Sequence, residues 1–339
     1  MRWPAEWEPH DASWIAWPHH EPDWPGKLAP IPWVYAEIAR VLHRHERVEI
    51  LCQDESVRAS AEQCLAAHGV RTNVRLHVVP TDRVWLRDSC PTWVSRDGSA
   101  ELVNWRFNAW AKYDNYRQDA RVGEAVAKIA GAARVEPVRP DSSDRLVLEG
   151  GAIDTDGQGT LLTTEECLLS SVQARNPGLS REQYARAFAD SLGIRKTIWL
   201  GEGCVGDDTH GHVDDIARFV APGVVVLACE ADPADENHRR SKDNLRRLEK
   251  AGGLRVVKLP YPRAVEMNGE RLPASYANFY IANGIVIVPT FNDRNDRVAM
   301  NTLADVMPDR EVVGIHAVDL VWGLGTIHCL TQQQPAIRV

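Results

Sequence analysis

Four turn dipeptides recur along this 339-residue chain at nearly even intervals. They are Asp97-Gly98, Asp156-Gly157, Pro222-Gly223 and Asn283-Gly284, with successive glycines 59, 66 and 61 residues apart. Apolar runs flank each pair, the pattern of two strands joined by a tight hairpin turn. Self-similarity at a fixed period means one supersecondary unit used repeatedly, each burying its apolar face on its neighbours. Polar residues stand ahead of the hairpins: Asp88 before the first, Glu149 before the second, His212 with Asp214 before the third. Cys329 lies near the far end, in residues 326–331, which read as one more strand. One polar contribution per unit points to a ring of units whose side chains converge on its axis.

The intervening segments fit such a repeat. Helical spacing covers 34–44, 55–68, 116–130, 180–192, 235–250 and 298–307, with a Ser180/Gln183 capping box opening the fourth. Short apolar strands are expected at 13–17, 48–51, 75–80, 197–200, 254–259 and 312–315. The order within a unit is helix, strand, then hairpin. The fifth unit is split, so the last strand should pair near 13–17 and close the ring, which removes exposed sheet edges. Length alone would admit two domains of ~150 residues. The repeat argues instead for a single α/β domain over 1–339.

Bulk properties exclude several classes. A hydrophobic fraction of 44% is ample for a core. The net charge of −8 leaves no footprint for nucleic acid; it suits a cationic ligand, and equally ordinary solubility. Seven cysteines with no CxxC pair argue against a disulfide framework or a zinc knuckle. The first residues lack the apolar stretch of a secretory leader, and no window approaches the ~20 apolar residues of a membrane span. The expectation is a cytoplasmic protein with neither a membrane nor a nucleic acid as partner. A homo-oligomer is left open. Five of the twelve tryptophans (Trp3, Trp7, Trp14, Trp17, Trp24) cluster near the N-terminus, as core packing or as the wall of a pocket.

Cys329 follows Gly323-Leu324-Gly325-Thr326-Ile327-His328, and glycines there permit close approach of a ligand. A buried structural thiol is the ordinary alternative; a nucleophile would need a base. Asp208-Thr209-His210-Gly211-His212-Val213-Asp214-Asp215 offers one. If that segment is extended, His212 and Asp214 point to the same face, suited to acid–base work on a cationic group. In Val84-Trp85-Leu86-Arg87-Asp88, the ring of Trp85 can stack on a planar cation while Asp88 takes its N–H edge; a plain Arg87–Asp88 ion pair is the alternative. Glu149 is followed by Gly150-Gly151, again permitting a crowded site. A thiol, an imidazole and three carboxylates would oppose a developing oxyanion. They suit a guanidinium, whose edges two aspartates can grip while the central carbon stays open to sulfur.

These segments resemble the agmatine deiminases, within the guanidine-modifying superfamily of α/β propellers. The likeness runs through residues 4–10 and 14–18, Trp85 to Asp88, Asn108-Ala109-Trp110 with Lys112-Tyr113, Glu149-Gly150-Gly151, Gly211-His212-Val213-Asp214, and His328-Cys329 with Gln332-Gln333-Gln334-Pro335. It implies a pentein fold, a five-bladed α/β propeller of pseudo-fivefold ββαβ-type repeats. It implies catalysis by Cys329 as nucleophile, Asp88 and Asp214 holding the guanidinium, His212 as acid and base, and Glu149 orienting His212. Trp85 would line the substrate slot, Asp208 would meet the distal ammonium of agmatine, and neither a metal nor an organic cofactor would be needed. The reaction implied is agmatine to N-carbamoylputrescine and ammonia, toward putrescine. Leu324, Thr326 and His210 depart from the usual pattern, as does Val172-Gln173-Ala174 before Arg175-Asn176-Pro177; all bear on the far end of the pocket. Two other readings stand. One is a deiminase for peptidyl-arginine or another guanidine; free arginine would need a carboxylate clamp that is not legible. The other is a metal-dependent hydrolase using His210, His212 and Asp214, since HxHxD is legitimate ligand spacing.

Overall fold

The architecture follows from where the helices fall relative to the hairpins. Two antiparallel strands can be joined by a tight turn, whereas a third strand parallel to the second needs a crossover, here a helix. A computed structural model describes residues 1–337. It contains this hairpin–helix–strand unit four times without interruption. Thr92–Arg96 and Ser99–Val103 form a hairpin, and the helix Val122–Ala130 leads to Ala133–Val135, parallel to Ser99–Val103. The next unit is Asp154–Thr155, Thr160–Thr164, the helix Arg181–Leu192 and Lys196–Leu200. The third is Ala217–Ala221, Val224–Cys229, the helix Glu236–Ala251 and Arg255–Pro260. The fourth is Tyr280–Ala282, Ile285–Thr290, the helix Asn295–Val306 and Glu311–His316. The unit therefore starts at the hairpin, not at the helix: periodicity gives the cyclic order but not where the cycle begins. The repeating turns are as expected, with Gly98, Gly157, Gly223 and Gly284 at φ of 79, 69, 71 and 69°, the left-handed region that glycine enters at low cost.

The remaining sheet joins the two ends of the chain. His10–Ala16 pairs antiparallel with Gln332–Pro335 (Trp14 opposite Gln332, His10 opposite Pro335) and parallel with Arg47–Cys52. Val74–Val78 adds a fourth strand, and the helices Ile31–Leu42 and Glu55–Ala67 make the two crossovers. The expected pairing of the last strand near residues 13–17 is thus found, but the strand expected at 326–331 is not. Ile327–Leu330 is a single turn of helix, and the strand begins two residues later at Gln332. Thr, Ile, Cys and Leu favour strands, and one helical turn is too short to show a helical period.

Trp14, Trp17 and Trp24 are almost completely buried, and Trp24 packs on Trp85 with ring centroids 5.5 Å apart, so the N-terminal tryptophans serve as core and as backing for a pocket wall. The capping box of Ser180 and Gln183 is present. Among the described residues every cysteine is free, and no helix is long and apolar enough to cross a membrane.

Candidate active site

Immediately before the first hairpin strand of each unit lies a short turn, and these turns carry the polar residues. Leu86–Ser89 carries Asp88, Gly150–Ala152 follows Glu149, and Val213–Asp215 follows His212 and contains Asp214. Ile327–Leu330 carries Cys329. Leu86–Ser89 packs against both Gly150–Ala152 and Ile327–Leu330, and Gly150–Ala152 packs on Val213–Asp215. The segment before Tyr280–Ala282 supplies Asn278, which the sequence reading left out.

Asn278 organises the nucleophile's turn. Its Oδ1 accepts from the Thr326 hydroxyl at 2.7 Å, from His328 N at 3.0 Å and from Cys329 N at 3.3 Å. Its amide donates to Cys329 Sγ at 3.1 Å and to Asp215 Oδ1 at 2.9 Å. Cys329 Sγ lies 3.9 Å from Asp214 Oδ2. The thiol is pushed well above its ordinary pKa, first by burial and then by Asp214, Asp215 and Asp88. Asp215 is itself driven well upward by burial and by Asp214, whereas Asp214, against burial, is held below the ordinary carboxylate range by His328, so the adjacent aspartates are pushed apart.

Asp88 accepts from Trp110 Nε1 at 2.9 Å and from Gly151 N at 3.0 Å. Burial, assisted by Asp214 and Glu149 and opposed by His212, raises its pKa to about 6. Arg87 does not pair with it; the guanidinium turns away to Glu6 at 3.2 Å and Gln333 at 2.8 Å. His212 stands between two acids, Nδ1 at 3.8 Å from Asp88 and Nε2 at 3.5 Å from Glu149. Burial presses its pKa down, but Asp88, Cys167 and Glu149 outweigh burial and hold it well above the ordinary value. Glu149 is fully buried and receives Arg175 Nε on both oxygens, at 3.1 and 3.2 Å. Against the cost of burial, Arg175 and His212 keep it ionised.

His328 was quoted only as part of a motif, yet it holds Asp214. Its Nδ1 meets Asp214 Oδ2 at 2.7 Å and its Nε2 meets Glu6 Oε2 at 2.8 Å. Each ring nitrogen thus faces a carboxylate oxygen, so His328 bridges two buried acids. Arg218 reaches the same Glu6 at 2.8 Å. Glu6 and His328 are 322 residues apart in the chain, which hid this network from any local reading.

Glycines make the crowding possible. A Cβ on Gly151 would come 2.5 Å from His212 Nδ1, 2.9 Å from Asp88 Oδ1 and 3.1 Å from Asp214 Oδ2. One on Gly325 would strike the Trp85 ring at 2.7 Å. Trp110 is held by an unusual backbone: Ala109, Trp110 and Ala111 have φ of 49, 59 and 53°, three successive left-handed residues, with Asn108 Oδ1 accepting from Ala111 N at 3.0 Å.

Above this cluster a cleft of about 570 Å³ is lined by Asp23, Arg83, Trp85, Asp88, Trp110 and Cys329, with Asp208 and Leu324 farther along its wall. Asp214 Oδ1 and both ring nitrogens of His212 are buried without partners among the described residues. Such orphaned groups are rare unless a ligand completes them. The sequence candidates Cys329, His212, Asp88, Asp214, Glu149 and Trp85 therefore come together. The premise for His212 and Asp214 changes, because His212 caps a one-turn 3₁₀ segment that contains Asp214, in place of an extended strand. Asp208 is at the cleft, bonded to the Lys112 ammonium and, at 2.7 Å, to the Tyr113 hydroxyl. His210 leaves the group: at φ 65° it turns to Ser170 Oγ at 3.0 Å. It is therefore not aligned with His212 and Asp214 as a ligand set, and the metal-hydrolase reading is not supported.

The repeated hairpin–helix–strand units, with a buried thiol set among acids, define an α/β class of protein. Residues 2–335 match the Porphyromonas-type peptidyl-arginine deiminases. An agmatine deiminase of Pseudomonas aeruginosa strain LESB58 is 37% identical, with 100% of this chain and 96% of that one covered. One from Stutzerimonas stutzeri strain A1501 is 38% identical over 98% of this chain and 95% of its own. The solved agmatine deiminase of Enterococcus faecalis superposes with a TM-score of 0.90 at 32% identity, covering 98% of this chain and 95% of that one. The chain belongs to the Porphyromonas-type peptidyl-arginine deiminase family.

Proposed function

We propose that this protein is an agmatine deiminase, converting agmatine and water to N-carbamoylputrescine and ammonia. The observation that carries the reading is that Cys329 and Asp88 line one cleft, while next to them Asp214 Oδ1 and both His212 ring nitrogens are buried without a hydrogen bond among the described residues. The full-length similarity to agmatine deiminases supports the substrate. Asp88 and Asp214 grip the guanidinium edges, and Trp85 covers its face.

The Cys329 thiol is neutral while the cleft holds no cation. A guanidinium between the acids offsets the charges that hold the proton on sulfur, so binding itself favours the thiolate. The sulfur attacks the guanidinium carbon and a C–S bond forms. His212, protonated under the influence of Asp88 and Glu149, gives its proton to the departing nitrogen, the C–N bond breaks and ammonia leaves. Neutral His212 then takes a proton from water, whose oxygen attacks the same carbon. The C–S bond breaks as the added hydroxyl releases its proton to solvent and becomes the carbonyl, returning the thiolate, protonated His212 and the ureido product. Glu149 orients His212, and Arg175 keeps Glu149 charged.

The five sheets are proposed to be five blades about a pseudo-fivefold axis, the turns that carry the site lying on that axis, within one domain. A cytoplasmic setting fits the unpaired cysteines. Ammonia release from agmatine, free arginine and a blocked arginine peptide tests the reading. Agmatine is expected to be turned over with by far the highest kcat/KM; preference for the peptide or for arginine would overturn the choice of substrate.

A further inference from the structure

The outer part of the cleft holds two acids, and they are not equivalent. Asp208 has both oxygens engaged, one by the Lys112 ammonium and one by the Tyr113 hydroxyl. Asp23 has one oxygen free. Its Oδ1 accepts from Arg83 Nη1 at 2.7 Å, whereas Oδ2 has no partner among the described residues, although the side chain is only 1% exposed. Asp23 lines the cleft and precedes Trp24, which packs on Trp85, so the carboxylate belongs to the wall that also bounds the guanidinium slot. Arg83 reaches Asp23 through Nη1 alone: its Nη2 donates to Asn115 Oδ1 at 3.1 Å, its guanidinium carbon lies 4.1 Å from the centre of the Tyr113 ring, and its Nε has no hydrogen-bond partner among the described residues. The cleft thus presents one desolvated acceptor with nothing to accept from.

We propose that Asp23 is the specificity-determining residue of this cleft, its free Oδ2 accepting an N–H from a primary ammonium at the far end of the guanidine substrate. This deepens the agmatine reading and rests on it. An ammonium satisfies the oxygen and adds charge attraction. A plain alkylguanidine leaves the oxygen bare. A carboxylate beside the terminal amine, as in arginine, would meet like charge there, so the same atom favours the decarboxylated amine.

The test is kcat/KM for agmatine and for n-butylguanidine, which keeps the four-carbon chain and lacks the ammonium, in the wild type, Asp23→Asn and Asp208→Asn. Asparagine keeps the shape and can still accept from Arg83. The wild type should prefer agmatine. Asp23→Asn should shrink the agmatine-to-butylguanidine ratio by about 10- to 100-fold, chiefly through KM for agmatine. Asp208→Asn should retain the preference. An unchanged ratio in Asp23→Asn overturns the proposal, even where both substrates slow together, because a loss common to both means that Asp23 only positions Arg83. Loss of the ratio in Asp208→Asn alone would move the ammonium to that residue. A wild type that turns over neither compound would instead remove the deimination reading, and this inference with it.

Discussion

Three buried acids and two buried histidines share one small volume here, and their charges differ because their partners differ. Against burial, His328 holds the Asp214 carboxyl below its ordinary range and Arg175 does the same for Glu149, whereas Asp88 has neither partner and burial raises it to about 6. Its raised pKa sets a sign. Below about 6 the carboxyl takes up a proton and loses the charge that attracts a guanidinium, so kcat/KM for agmatine should fall as pH drops through that value. The pH profile of kcat/KM checks this, and a profile flat from neutrality to about pH 5 would contradict it. His212, held well above its ordinary value, keeps its proton across the same range and limits nothing on the acid side. Asp88, Glu149, His212 and Asp214 were legible in the sequence because each precedes a hairpin turn, and Cys329 because glycines stand just before it. Asn278 was not, since a neutral amide has no titratable signature, although the repeat left a gap ahead of the Asn283-Gly284 hairpin.

At the scale of elements, the site depends on turns too short to show a period. The left-handed run Ala109–Ala111 contains no glycine, so neither composition nor motif announced it, yet it delivers Trp110 to Asp88. A residue with a Cβ pays ~1–2 kcal/mol in that conformation. Ala111 carries only a methyl group and sits at φ 53°. Ala111→Gly should therefore raise the unfolding free energy by about 1 kcal/mol after the entropy of glycine is subtracted. Denaturant midpoints measure it, and a loss of stability would mean that the turn is not left-handed in solution. Leu324 has φ 67° and lines the cleft, so a residue with a Cβ stores strain in the cleft wall. The expected strand at 326–331 failed for the same reason that Ala109–Ala111 went unseen: a segment of three or four residues is settled by tertiary contacts, here those of Asn278.

For the whole molecule, the decisive feature is that the chain closes on itself. The strand Gln332–Pro335 begins three residues after Cys329 and is seated on His10–Ala16, so the turn that carries Cys329 is anchored by residues at both ends of the chain. Truncation after Thr331 should remove that strand, expose the edge of His10–Ala16 and abolish both activity and cooperative unfolding; a truncated chain that unfolds in a single transition and retains turnover would contradict this. The repeat and the pairing of the two ends were readable from turn spacing alone. The network of Glu6, Arg87, Arg218 and His328 was not, because its members touch only once the sheets have assembled. All of this serves one claim, that sulfur at position 329 becomes bonded to the guanidinium carbon. Acid quenching during turnover of carbon-labelled agmatine, followed by peptide mass analysis, tests it directly. The label should appear on the peptide containing Cys329 with the mass of agmatine less ammonia, an amidino group still carrying its aminobutyl chain, and Cys329→Ala should show neither label nor ammonia release. Turnover persisting in that variant, or label carried by another cysteine, would contradict the account.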